Sequence, residues 1–280
     1  MSTNKALALF TAAVMAATAF TGCSGSNTSI TVISREEGSG TRGAFTELMG
    51  IAVDDVDHTI ATAEVSQSTS VVIQSVAGNK NAIGYISLGS LSSDVKAVSV
   101  DGVKATVENI NNGTYKVSRP FNIAVKENLS DLAADFIEFI MSDEGQAIIE
   151  EKGYIEVKSH GSYTPSGLQG TIVVAGSTSV APVMEVLADK YKELNSGVTI
   201  EIQQTGSSAG MTSTINGACD IGMASREVKE SELAEGLVPT VIAMDGIAVI
   251  VNNDSSVDNL TSEQIKRIYT GEITDWSEIK

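Results

Sequence analysis

Three segments of this sequence share one local design. Residues 30–34 form an apolar run that opens into Arg35-Glu36-Glu37-Gly38-Ser39-Gly40-Thr41, and a helical pattern with Phe45 and Leu48 follows. Residues 171–175 lead into Gly176-Ser177-Thr178-Ser179 ahead of a helix after Pro182. Residues 198–202 lead into Gly206-Ser207-Ser208-Ala209-Gly210 ahead of a short helix. Each is a strand, a small polar turn and a helix N-terminus. A helix start carries unpaired N–H groups and about half a positive charge, glycine admits a ligand close to the backbone, and Ser and Thr add neutral hydroxyl donors. The chemistry that fits is capture of a tetrahedral oxyanion without a lysine cluster. Any one turn alone is equally an ordinary Ser or Thr cap; the threefold repetition is what points to a ligand. Ser68-Thr69-Ser70 opens another helical pattern before Val71 and Val72 and could add hydroxyl contacts, although an N-cap explains it as well.

Two catalytic motifs overlap these turns. Gly38-Ser39-Gly40-Thr41-Arg42-Gly43 has the spacing of a dinucleotide fingerprint, and Gly206-Ser207-Ser208-Ala209-Gly210 that of a nucleophile elbow centred on Ser208. The first is weak as an isolated match, and an exported chain has little access to nicotinamide cofactors. The second makes an exported serine hydrolase an alternative, but such an enzyme needs a base, and no His follows His160. No cofactor is expected. With two Cys (Cys23 and Cys219) and two His (His58 and His160), no metal-ligand spacing and no disulfide framework is present. Cys219 reads as a small core thiol in a buried strand at 218–223.

The elements that must position these turns alternate. Apolar runs at 30–34, 82–87, 95–100, 171–175, 198–202 and 241–251 read as strands. Val183, Leu187, Tyr191 and Leu194 repeat at helical spacing, as do Leu132, Phe136, Phe139 and Ile140, and Thr261-Ser262-Glu263-Gln264 is a capping box. This alternation predicts an α/β fold with largely parallel sheets. At 280 residues and 42% hydrophobic content the chain can bury two cores. Residues 158–170, rich in Gly, Ser and Pro, read as a linker. The 35 acidic against 18 basic residues, for a net charge of −17, exclude a general nucleic-acid binder and electrostatic adhesion to anionic lipid.

The first 23 residues read as an export signal. Lys5 supplies the positive start, and residues 6–20 form an uncharged apolar stretch too short for a comfortable membrane span. The stretch ends in Phe20-Thr21-Gly22-Cys23, which resembles the lipobox of bacterial lipoproteins. That resemblance implies lipidation of Cys23 and an extracytoplasmic protein held at the cell membrane. A secretory signal with an incidental Cys is the alternative.

A wider resemblance rests on Gly176-Ser177-Thr178-Ser179-Val180, Gly206-Ser207-Ser208-Ala209-Gly210, Asp220-Ile221-Gly222-Met223-Ala224-Ser225-Arg226, the run at 245–252, Tyr269-Thr270-Gly271-Glu272-Ile273-Thr274-Asp275-Trp276 and Ser34-Arg35-Glu36-Glu37-Gly38-Ser39-Gly40-Thr41. Together these resemble the phosphate-binding protein of bacterial phosphate ABC importers. The likeness covers nearly all of residues 30–280, but the order differs: in the family the segment like 176–180 comes first, and the segment like 35–41 follows the one like 270–276. The resemblance therefore implies a circularly permuted, two-lobed periplasmic-binding-protein-like (type II) clamshell. Lobe one would be 119–245 and contain the joining linker 158–170. Lobe two would be 30–118 plus 246–280, with hinges near 118–121 and 244–247.

The resemblance further implies a monomer that binds inorganic phosphate and docks on permease subunits. It implies ligand contacts from Thr178, Ser179, Ser207, Ser39, Gly40 and Thr41, and an ion pair from Arg35, whose alternative is a salt bridge to Glu36 or Glu37. Some members carry Asp where this chain has Arg226; that Asp accepts the proton of monohydrogen phosphate. Arg226 is carried over as a ligand-binding residue but has only donors, so the expected acceptor is Asp245, with a purely structural role as its alternative. Without an acceptor, sulfate, molybdate or a phosphonate becomes the alternative ligand.

Overall fold

The computed structural model describes residues 28–54 and 56–279, so the export signal and Cys23 lie outside the described residues. One sheet runs through the whole molecule. Its strand order is Val198–Gln204, Gly170–Gly176, Ile221–Ala224, Ser118–Lys126, Leu237–Asn252, Ala82–Ser87, Thr31–Arg35 and Glu64–Ser66. The flanks are parallel, as alternating strands and helices require. The middle is antiparallel, which corrects the expectation of a largely parallel sheet. Ser118–Lys126 and the sixteen-residue Leu237–Asn252 pair head to tail from Leu237↔Lys126 to Gly246↔Ser118, and the long strand continues against Ala82–Ser87. Neither direction nor partner is encoded by an apolar run, so this pairing is set by the tertiary fold.

The two largest apolar cores among the described residues flank this central pair. One gathers Phe121, Phe136, Phe139, Ile172, Leu187, Tyr191, Met223 and Ile242 with their neighbours. The other gathers Phe45, Ile83, Tyr85, Val117, Ile247, Val249, Ile268 and Tyr269. The changeover falls between Val117 and Phe121 on one chain segment and between Ala243 and Ile247 on the other. Residues 157–169 form no regular element, yet they are fastened to the first core. His160 N–H donates to Met141 O at 2.8 Å, Tyr163 N–H donates to Glu144 Oε2 at 2.9 Å, and the Tyr163 ring packs edge-on to Phe139. At the far side, Ile30 N–H donates to Thr274 O at 2.8 Å and Trp276 N–H to Thr28 O at 2.9 Å, so the two ends of the described chain lie side by side.

The capping box forms as read: Gln264 N–H donates to Thr261 Oγ1 and Thr261 N–H to Gln264 Oε1. The run at 95–100 splits into Val95–Ala97 and Ser99–Val100, because its second half leaves the main sheet to pair with Asn259–Leu260. Cys219 is buried but lies in the bend before Ile221–Ala224, not on a strand; its Sγ is 3.3 Å from Thr214 Oγ1. Among the described residues, no helix is long and apolar enough to cross a membrane and no cluster of His, Cys, Asp and Glu could hold a metal ion.

Candidate functional site

Four helices start at the C-terminal ends of parallel strands, and their starts meet. They are Gly40–Leu48, Thr69–Gly78, Ala181–Leu194 and Ser207–Ile215, following strands that end at Arg35, Ser66, Gly176 and Gln204. In open α/β sheets this rim is where ligands bind. The three turns read from the sequence are therefore not independent caps. They face each other, and Ser68-Thr69-Ser70 supplies a fourth.

Hydroxyls interlock across the rim. Thr178 Oγ1 lies 3.3 Å from Thr69 Oγ1, Thr69 Oγ1 3.1 Å from Ser179 Oγ, and Ser179 Oγ 2.9 Å from Thr41 Oγ1. Thr41 Oγ1 reaches Ser225 Oγ at 3.5 Å, and Ser225 Oγ touches Ser177 Oγ at 2.9 Å and Ser207 Oγ at 3.4 Å. None of these residues is more than 5% exposed, so the hydroxyls lie in a low-dielectric setting where their dipoles act at full strength. Thr41 and Thr69 belong to the half of the molecule around Phe45. Ser177, Thr178, Ser179, Ser207 and Ser225 belong to the half around Phe136.

Arg35 stands at one side of this ring and makes the salt bridge that was its alternative reading. Its Nε and Nη2 donate to the two carboxylate oxygens of Glu36 at 2.8 Å each, a bidentate pair. Nη2 also donates to Thr178 Oγ1 at 3.1 Å and Nη1 to Thr69 Oγ1 at 3.4 Å. The salt bridge fixes the guanidinium, and its remaining N–H groups address the ring. The backbone N–H of Arg35 donates to Tyr85 Oη at 3.2 Å, and Tyr85 stacks on Phe45 with ring centroids 4.0 Å apart. Burial pushes the Tyr85 hydroxyl above its ordinary pKa, so it stays neutral there.

Glycine is required where the two halves approach. A Cβ on Gly40 would stand 2.5 Å from Ser207 Oγ and 2.8 Å from Ser225 Oγ. At Gly176, φ is +141° and a Cβ would stand 2.2 Å from Met223 O, so the strand can turn into Ser177 only without a side chain.

The structure brings Arg35, Gly40, Thr41, Thr178, Ser179 and Ser207 together. Ser39 sits beside them, but its hydroxyl caps its own helix, accepting from Arg42 N–H at 3.4 Å. Two expected residues lie outside the ring. Arg226 is turned to Glu232, pairing at 2.7 and 2.9 Å, and donates to Ser208 Oγ at 3.2 Å. Burial alone would raise the Glu232 carboxyl, but hydrogen bonds from Arg226 and the Lys229 N–H and their positive charges together hold it below its ordinary pKa. Asp245 lies behind the ring on the central strand, with Oδ1 accepting from Ser87 and Oδ2 from Arg119. Ser225, Ser177 and Thr69 carry more of the ring than the sequence suggested. The missed signal was Ser225, a hydroxyl one residue past the strand Ile221–Ala224 with no glycine to mark it.

Residues 11–144 and 161–279 match the model of a PBP superfamily domain. The chain is 49% identical over 269 residues to phosphate-binding protein PstS 2 of Streptococcus agalactiae, covering 92% of both chains. The chain belongs to the phosphate-binding protein family. A second member, a crystal structure of a phosphate ABC transporter phosphate-binding protein from Streptococcus pneumoniae, shares 47% identity and a TM-score of 0.72, covering 90% of this chain and all of that one. The family likeness is shorter elsewhere. Phosphate-binding protein PstS of Bacillus subtilis matches at 33% identity over 112 residues, 39% of this chain and 37% of that one.

Proposed function

We propose that this chain captures inorganic phosphate outside the cytoplasm and delivers it to an ABC importer. The carrying observation is the ring of seven buried hydroxyls and Arg35, drawn from both halves around four helix starts. An anion seated there meets N–H dipoles, hydroxyls and one guanidinium from opposite sides, so binding draws the halves together. The names of the streptococcal relatives point to the same ligand and the same transporter class. The role is capture rather than catalysis: the Ser208 hydroxyl accepts from Arg226, a guanidinium that offers donors and no acceptor to take a proton from it.

Further parts of the reading rest on the same features. The halves act as lobes, 119–245 against 30–118 plus 246–280, hinged where the two central strands change cores. The segment order is permuted relative to phosphate-binding proteins like that of Bacillus subtilis. Supporting this are the adjacency of the chain ends, the irregular 157–169 segment fastened within one core and the partial length of that match. The 269-residue match to the Streptococcus agalactiae protein supports a natural rather than a constructed order. Cys23 anchors a monomer to the membrane, where the loaded form meets the permease.

Calorimetric titration with phosphate, then sulfate, tests the reading. One phosphate per chain is expected; silence toward phosphate overturns it. The sulfate arm matters because selectivity for phosphate needs an acceptor for the ligand proton, and Glu36, the carboxylate beside the ring, already takes a guanidinium N–H on each oxygen. Sulfate binding within about tenfold of phosphate would define a general receptor for tetrahedral oxyanions. Salt sensitivity separates the forces. The chain's net charge of −17 repels an anion at long range, so affinity must come from short-range buried dipoles. Raising ionic strength from about 0.05 to 0.5 M should leave the phosphate affinity within about threefold; a loss of tenfold or more in the same titration would contradict a buried site. Thr69→Val keeps the shape and removes one ring hydroxyl. It should weaken phosphate binding by about five- to tenfold, the worth of one neutral hydrogen bond, with the unfolding midpoint little changed.

A further inference from the structure

Behind the ring lies a buried ion pair that the capture reading does not use. Arg119 and Asp245 are register partners on the two central antiparallel strands, 2% and 1% exposed. Arg119 Nη2 donates to Asp245 Oδ2 at 3.1 Å, and Ser87 Oγ donates to Asp245 Oδ1 at 2.9 Å. The carboxylate is thus engaged on both oxygens. The guanidinium is not: Nε and Nη1, which carry three of its five N–H donors, have no hydrogen-bond partner. Its flat face lies 5.4 Å from the Phe121 ring centroid, a contact that satisfies no N–H.

The placement of this pair is what gives it a role. Thr31↔Ala82 and Val32↔Ile83 set the register of two parallel strands, which puts Arg35 and Ser87 at the same C-terminal edge. Ser87 faces Ile247 on the long strand, two residues from Asp245. Arg119 therefore stands at the same strand edge as Arg35, near enough for the two like charges to repel. The charged and titratable groups around the pair are Arg35, Tyr115 and Tyr154. Arg35 is itself neutralised by Glu36, so the ring presents little net positive charge of its own. A doubly charged ligand needs more, and a buried cation with unpaired donors is costly until an anion approaches it.

We infer that Arg119 is a second guanidinium of the anion site, partly neutralised by its competing partner Asp245, and that its charge supplies part of the attraction for the bound oxyanion. This rests on the phosphate reading above. Burial raises the Asp245 carboxyl to about 6 even against the pull of Arg119, so measurements at pH 8 keep the pair ionised.

The test breaks the same pair from either end and measures phosphate binding calorimetrically at pH 8, with thermal unfolding alongside. Arg119→Gln should weaken phosphate binding by about tenfold or more, the loss of a charged partner. Arg119→Lys should recover most of it. Asp245→Asn leaves the guanidinium and removes its competitor, so phosphate should bind as tightly or tighter. A merely structural pair predicts matching losses from Arg119→Gln and Asp245→Asn, and that result overturns the inference, as does unaltered binding in Arg119→Gln. If Arg119→Gln does not fold, Asp245→Asn decides alone: a tenfold loss overturns the inference and retained or tighter binding supports it. Failure of the unaltered protein to bind phosphate would instead overturn the phosphate reading itself, and this inference with it.

Discussion

Arg35→Met is expected to lower phosphate affinity by about two to four orders of magnitude. The guanidinium is buried and directs N–H groups at Thr69 and Thr178, so it can offer a ligand two charge-assisted bonds, each worth about 1.5–3 kcal/mol. The change has a second cost. Glu36, whose side chain is only 16% exposed, loses its counter-ion and turns a bare carboxylate toward the anion. Adding Glu36→Gln to Arg35→Met should therefore restore about tenfold of the lost affinity, by removing the repulsion without replacing the donor. Arg35→Lys should fall between, because a point charge cannot hold Glu36 in a fork and still address the ring. Titration calorimetry on the four proteins checks the order. Equal affinity in Arg35→Met and the unaltered protein would mean that Arg35 serves Glu36 alone.

Gly40→Ala should abolish tight phosphate binding, by about 100-fold or more, while the protein stays folded. The added methyl would stand 2.5 Å from Ser207 Oγ, a distance that real Cβ atoms do not show, and Ser207 belongs to the opposite half. Overpacking of this kind costs about 1–3 kcal/mol, and the halves can relieve it only by parting, which also breaks the ring. Yet Gly40 opens the helix Gly40–Leu48 with an ordinary φ, where alanine favours helix by up to about 1 kcal/mol. Affinity and stability should thus move in opposite directions. The pairing of calorimetry with a thermal melt distinguishes this from simple unfolding. Binding within twofold of the unaltered protein would mean that the halves do not need to meet at Gly40.

Much of the site was legible because it is local. A strand, a small polar turn and a helix start fit within a dozen residues, so the turns at Ser39–Thr41, Thr178–Ser179 and Ser207 could be read without knowing the fold. Their convergence could not, since it depends on strand order across the sheet. Thr69 was discounted because a Ser-Thr-Ser helix start looks the same whether it caps or binds, and here Ser68 caps while Thr69 binds into the ring. Arg226 is expected in the site from likeness to a motif, and Asp245 as the acceptor that Arg226 cannot be. The structure turns Arg226 toward Glu232, a contact across six residues that the motif does not encode. It pairs Asp245 with Arg119, 126 residues away, through the antiparallel register of the central strands. That register was also what the alternation of strands and helices failed to signal.

The most direct measurement of the central claim is a crystal structure of the protein grown with phosphate. The account predicts one tetrahedral anion within hydrogen-bond distance of Thr41 and Arg35 from one half and of Thr178, Ser179 and Ser207 from the other. Phosphate seated elsewhere, or touching residues of one half alone, would contradict it.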